Sequence, residues 1–265
     1  MVDVPSFFRL DDQVAVVTGG ASGIGESTAQ VLAAQGAAVV VGDIDEEGAQ
    51  RTAKQIVADG GRSVAMRSDT TRRSDVDGLV DRAVSEYGQL DIMCNVAGIG
   101  YAKPTVDITD ADFDRLIAIN VKGVLLGCQA ALRVMIPRGT GSIVNVSSCV
   151  VDTPAPGQAL YGMTKSAVAF LSNTLAAEAG PHGIRVNAIA PGSTPTNFGS
   201  HRYADGKIDL EREAAVKEMM AKSTPLGFLG EAIDQAMLIL YLVSPAARWA
   251  TGNIWRVNGG SSRPW

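Results

Sequence analysis

Five short apolar runs punctuate the chain: Val14 to Val17, Ala37 to Val41, Ile92 to Met93, Ile143 to Val146 and Ile184 to Ala190. Mostly apolar runs of this length read as strands buried on both faces. The stretches between them repeat apolar residues at helical spacing. Ala49, Ala53, Ile56 and Val57 share one predicted helix face, Val76, Leu79, Val80, Ala83 and Val84 another, and Ile233, Ala236, Met237, Leu240 and Tyr241 a third. Parallel strands need crossover connections, so this alternation predicts a parallel sheet covered by helices on both faces, a doubly wound α/β fold in a single domain. Gly36, Gly60 and Gly88 each follow a helical stretch, where a left-handed closing residue favours glycine.

One segment breaks the rhythm. Ser193 to Thr224 is polar and carries Gly199, Gly206 and the charged run Glu211 to Glu213. It follows a strand end, where open α/β sheets place their ligand crevice, and reads as a substrate lid over 193–224. An ordinary surface insertion is the alternative.

The turn after the first strand is Thr18-Gly19-Gly20-Ala21-Ser22-Gly23-Ile24-Gly25, and a helical stretch follows it. Glycines there let the backbone turn sharply and approach a pyrophosphate at a helix N-terminus. Asp43 closes the second strand about twenty residues on, the expected place for an acid that binds the adenosine ribose. A carboxylate at that point repels a 2′-phosphate, which predicts NAD(H) over NADP(H). The competing assignment for Asp43 is a helix N-cap, since Glu46 lies three residues on.

Tyr161 and Lys165 stand at i and i+4 and so share a helix face. Ser148 lies thirteen residues earlier, at the end of the strand Ile143-Val144-Asn145-Val146. Strand end, loop and helix would bring all three to the C-terminal edge of the sheet.

With these residues in place the chain resembles the short-chain dehydrogenase/reductase family, from about Leu10 to Gly260. The glycine turn has that family's G-x-x-x-G-x-G spacing. Asn95-Val96-Ala97-Gly98 is similar to its N-N-A-G motif, departing at Val96. Asn120, Ser148, Tyr161 and Lys165 match its catalytic positions. The resemblance implies a Rossmann-like domain with a parallel seven-stranded sheet flanked by helices. It implies cofactor contacts from Gly19, Ser22, Gly23, Ile24, Gly25, Asp43, Ile44, Asp69, Thr70, Asn95, Ala97, Gly98, Tyr161 and Lys165. The segment Pro191, Gly192, Thr194 and Thr196 resembles the part that meets the nicotinamide half. It implies that Tyr161 is the acid/base, that Lys165 lowers its pKa and binds ribose, and that Ser148 holds the reacting oxygen. Asn120 would hold a water linking Lys165 to solvent, or would mark only a helix kink. Asn95 would brace the fourth strand as well as touch cofactor, and Thr194 and Thr196 could instead cap the next helix.

Substrate contacts are expected from Ser148, Cys149, Val150, Thr153, Pro154, Gln158, Tyr161 and Phe198, a mostly apolar set suited to a hydrophobic or medium-sized secondary alcohol or ketone. The loop before Tyr161 has no arginine clamp for an anion, although Arg202 lies in the lid. The resemblance also implies a homotetramer built by helices around 120–133 and 158–178 and by the C-terminal strand. Their stripes Val121, Val124 and Leu125, and Val168, Leu171 and Leu175, could equally face the sheet. Two alternatives remain open: a 3-oxoacyl-carrier-protein reductase, suggested by Gln158-Ala159-Leu160-Tyr161 and Pro225-Leu226-Gly227, and a non-catalytic nucleotide-sensing regulator.

Composition narrows the partners. A net charge of −5 argues against a nucleic-acid backbone. Three widely spaced cysteines and two histidines predict neither a disulfide framework nor a metal site. The start Met1 to Leu10 lacks the features of a signal peptide, and no apolar run suits a membrane span, so a cytoplasmic protein is expected. His182 is expected in a loop, and Trp249, Trp255 and Trp265 in C-terminal packing.

Overall fold

The computed structural model describes residues 3–195 and 210–261. Seven strands form one sheet in the order β3-β2-β1-β4-β5-β6-β7, and every neighbouring pair is parallel. They are β1 Val14–Thr18, β2 Ala38–Asp43, β3 Arg62–Arg67, β4 Ile92–Asn95, β5 Gly141–Val146, β6 Ile184–Ile189 and β7 Ile254–Trp255. Helices α1 Gly23–Ala34, α2 Glu46–Ala58, α3 Arg73–Tyr87, α4 Asp110–Leu116, α5 Gly123–Met135, α6 Ala159–Ala179, α7 Leu210–Ser223 and α8 Ala232–Val243 make the connections. The chain order reverses between β1 and β4, and that switch point opens the crevice in which such sheets bind ligands.

Strand alternation splits the core into two layers. Ala15 and Val17 of β1 pack with α1, α2 and α8, through Leu32, Ile56 and Ile239 among others. Val14 and Val16 face the other way, onto α3, α5 and α6, through Leu79, Met135 and Val168. Val168 and Leu175 belong to this second layer and Leu171 packs against it, so the α6 stripe faces the sheet, whereas of the other stripe only Val124 does, Val121 and Leu125 being half-buried outside it.

Three helix faces need correction at their margins. Val57 and Val84 are 54% and 38% exposed, and Ile233 and Met237 are 41% and 52% exposed. Each sits roughly a quarter-turn from the centre of its buried stripe, so spacing alone groups it with residues that point inward. Gly36, Gly60 and Gly88 all take positive φ, at 107°, 88° and 85°, as their places after helices required. Within the segment 193–224 read as a lid, 210–223 is α7, while 196–209, with Thr196, Phe198, His201 and Arg202, lies outside the described residues, as does Trp265.

Candidate active site

The glycine turn joins β1 to α1 at the switch point. Gly19 and Gly23 have φ of +73° and +56°, a backbone region that favours glycine. A Cβ on Gly25 would stand 2.0 Å from the Gly19 carbonyl oxygen, so that position admits no side chain. The turn also packs closely on the next loop, since a Cβ on Gly19 would meet the Ala97 backbone at 2.8 Å. Thr18 ties the two together: its hydroxyl accepts hydrogen bonds from the Val96 and Ala97 amides. The first turn of α1, from Gly23 with Ser22 as N-cap, therefore aims its amides into the crevice.

Asp43 ends β2 beside this turn. Its carboxylate accepts from the Ala21 amide at 3.0 Å and the Asp45 amide at 2.9 Å. The cap of α2 is Asp45, which accepts from the Gly48 amide, so the N-cap assignment for Asp43 is overturned. Ile44 follows, 60% exposed. Asp69 folds its carboxylate onto the Thr71 amide and hydroxyl, and Thr70 lies against Gly123 at the head of α5. Asn95 is buried and braces the sheet: its amide donates to Asn145 Oδ1 at 2.8 Å and Cys128 Sγ at 3.5 Å.

Lys165 and Tyr161 are both buried on α6. The ammonium donates to the Val146 carbonyl at 2.9 Å and lies 5.8 Å from the centre of the Tyr161 ring. Full burial pushes the Lys165 ammonium down to about 8. Leu160 and Tyr161 form a small apolar cluster with Leu116, flanked by Ile99, Tyr101, Ile108 and Val150. Asn120 sits at 0% exposure in a π-helical turn over Ile117–Lys122 that links α4 to α5. Such turns recur at functional sites. Its side chain accepts from the Ile99 amide at 2.8 Å and donates to the Ile99 carbonyl and Thr164 Oγ1. A Cβ on Gly98 would stand 3.2 Å from Asn120 Oδ1 and 3.3 Å from Lys165 Nζ, so glycine there keeps the space beside both groups open.

Ser148 lies two residues past β5 and caps a short 3₁₀ turn, Cys149–Val151, by accepting from the Val150 amide at 3.3 Å. Cys149 is half-buried, and burial pushes its thiol up. Cys94 and Cys128 are fully buried and pushed up to about 12, which makes them poor nucleophiles. The Cys149 amide donates to the Pro191 carbonyl, which joins this loop to the segment after β6. In that segment Thr194 Oγ1 donates to the Gly192 carbonyl at 3.4 Å and caps no helix in the described residues. Pro154 is exposed, and Gln158 precedes α6 half-buried.

Sequence pattern missed three parts of the site. Ile99 and Tyr101 line the flank of Tyr161 from an irregular loop, where periodicity carries no signal. Asn145, a polar residue inside an apolar strand, was a usable signal for the buried network with Asn95. Arg256, which holds Asp152 through two nitrogens, has no local signature at all.

A family model described as enoyl-(acyl carrier protein) reductase matches residues 19–262. The chain belongs to the short-chain dehydrogenase/reductase family. It is 40% identical to the cis-4-hydroxycyclohexanecarboxylate dehydrogenase of Sinomonas cyclohexanicum over 250 residues, covering 94% of this chain and 96% of that one. It is 36% identical to 3beta-hydroxysteroid dehydrogenase 1 of Eggerthella lenta, covering 95% and 94% respectively. A gluconate 5-dehydrogenase from Burkholderia cenocepacia J2315, solved in complex with NADP and tartrate, superposes with a TM-score of 0.88 at 32% identity, covering 97% of this chain and 98% of that one. This short-chain oxidoreductase thus has relatives that act on cyclic and hydrophobic alcohols, and its family uses NAD(P). The residues present fit such a dinucleotide. The glycine turn excludes side chains beneath a helix N-terminus, the Asp43 carboxylate ends β2 beside that turn, and Gly98 leaves room beside Lys165.

Proposed function

We propose that the chain is an NAD(H)-dependent oxidoreductase that interconverts a secondary alcohol and a ketone on a hydrophobic or medium-sized substrate, one bearing a ring as the substrates named for its relatives do.

 The observation that carries this reading is the pair on α6: a buried ammonium one helical turn beyond a buried phenol, with its Nζ 5.8 Å from the ring centre. An unperturbed tyrosine titrates near 10, too high for a good base at neutral pH, and an adjacent cation favours the phenolate. In the oxidative direction Tyr161 takes the hydroxyl proton of the substrate, and Ser148 donates a hydrogen bond to the same oxygen as it gains carbonyl character. Bound nicotinamide supplies the hydride acceptor. Lys165 holds positive charge beside the phenol and would bind the cofactor ribose. The Asn120 side chain is committed to Ile99 and Thr164, so a water that relays protons from Lys165 to solvent would be held by the main chain of the π-helical turn.

Asp43 supports NAD(H): its carboxylate is fixed by two amides at the ribose end of the crevice, where a 2′-phosphate would meet like charge. The apolar flank of Ile99, Tyr101, Val150 and Leu160 supports a ring-sized apolar substrate. A homotetramer is part of the same proposal.

The deciding experiment follows NADH absorbance at alkaline pH with cyclohexanol, 4-hydroxycyclohexanecarboxylate and a 3β-hydroxysteroid. Turnover is expected with NAD+ at a kcat/KM at least tenfold above that with NADP+. Tyr161→Phe should lose roughly 10²–10⁴ in turnover while retaining NADH binding. Failure of all three alcohols would favour the regulator reading, and efficient NADPH-dependent reduction of a 3-oxoacyl thioester would favour the acyl-carrier-protein reductase.

A further inference from the structure

The loop between Ser148 and α6 is tied down at a point far from it in sequence. Arg256, just past β7, donates from Nε to Asp152 Oδ2 at 2.6 Å and from Nη2 to Asp152 Oδ1 at 2.7 Å, a two-point fork spanning 104 residues. Arg256 Nη1 donates to the Ile254 carbonyl at 2.7 Å, so the guanidinium is itself fixed on the sheet edge. The Asp152 side chain is 7% exposed and that of Arg256 22%. A charge-assisted fork in this setting is strong and directional.

The geometry points to Arg256 as a positioning residue that sets the orientation of the Ser148 hydroxyl through Asp152. Asp152 closes the 3₁₀ turn Cys149–Val151, its amide donating to the Cys149 carbonyl. The same turn supplies the Val150 amide that donates to Ser148 Oγ. Its other tether, the Cys149 amide on the Pro191 carbonyl, runs to the segment after β6. Gly192 donates to the Val257 carbonyl, next to Arg256, so the turn, the segment after β6 and the C-terminal segment close into one braced unit. Release of the fork frees the far end of the turn and, with it, the Val150 amide that orients the Ser148 hydroxyl. Lysine cannot replace arginine here, because it keeps the charge and loses the planar fork.

This inference rests on the alcohol-oxidation reading, so its test carries an arm that needs no substrate. Arg256→Gln and Arg256→Lys are compared with the unaltered protein by amide hydrogen exchange and by kinetics on 4-hydroxycyclohexanecarboxylate and cyclohexanol. Exchange at 150–153 should quicken at least tenfold in Arg256→Gln, while β1, β4 and β5 keep their protection. Its kcat should fall at least tenfold while NADH affinity stays within twofold, and Arg256→Lys should recover less than half of the loss. If Arg256→Gln loses protection throughout the sheet, Arg256→Lys alone decides by the same two readouts. Unchanged exchange at 150–153 overturns the inference, as does quickened exchange with kcat within twofold. Absence of turnover in the unaltered protein would count against the alcohol-oxidation reading instead, with the exchange arm then deciding whether the fork anchors the turn.

Discussion

Lys165 holds a charge where burial disfavours one. Its ammonium sits at about 8 in the fold against an ordinary 10.5, and the cause is desolvation. Between those two values the unfolded chain holds the proton more tightly than the fold does, so stability rises as pH climbs through this window. Below pH 8 the full penalty applies, about 3 kcal/mol from the shift, partly offset by the hydrogen bond to the Val146 carbonyl. Lys165→Met removes that penalty and should be more stable than the unaltered protein at pH 7 by about 2 kcal/mol. The gap should shrink by pH 10, and the variant should be inactive. Urea unfolding at both pH values checks this; a variant less stable at pH 7 contradicts it. The pair Tyr161 and Lys165 was readable because an i, i+4 relation is local. The Arg256 fork was not, because nothing within a helix or strand relates position 152 to position 256.

At the scale of elements, apolar runs announced the central strands and missed the two edges. β3 carries arginine at both ends and is only half-buried, and β7 is two residues long. Neither forms an apolar run, because an edge strand has less core to fill. Polar side chains inside the central strands bind the elements together. Asn145 on β5 accepts from Asn95 on β4 and donates to Ser172 on α6 at 2.9 Å, and Ser172 donates to the Val168 carbonyl. All three side chains are buried. Asn145→Ala would leave the Asn95 amide with only the weak Cys128 acceptor and remove the donor to Ser172, each a buried group losing a partner at about 1–3 kcal/mol. A loss of about 3 kcal/mol is expected in urea unfolding, with Asp43 and the glycine turn unaffected and NADH affinity in the folded protein within a few-fold. A loss below 0.5 kcal/mol would mean that water replaces the network.

At the scale of the whole molecule, exposed apolar side chains gather, among the described residues, on α6 and around α8. On α6, Met163 and Phe170 lie seven residues apart on one outer face, 47% and 75% exposed. Ile233 and Met237 share the outer face of α8, while Leu226, Phe228 and Trp249 expose 63%, 59% and 97% of their surface in neighbouring stretches of the chain. The α6 stripe that faces the sheet is a different set, Val168 and Leu175, so burial within one chain leaves Phe170 outside. Exposed large apolar side chains in groups mark contact surfaces, and two distinct self-complementary surfaces on one protomer generate a tetramer with D2 symmetry. Light scattering should accordingly give four times the 27.6 kDa chain mass. Phe170→Glu places a charge on one of the two surfaces only, and should halve that mass to a dimer that retains the α8 contact. The unaltered protein running as a monomer would remove the tetramer, and a Phe170→Glu protein that stays fourfold would move the interface off α6.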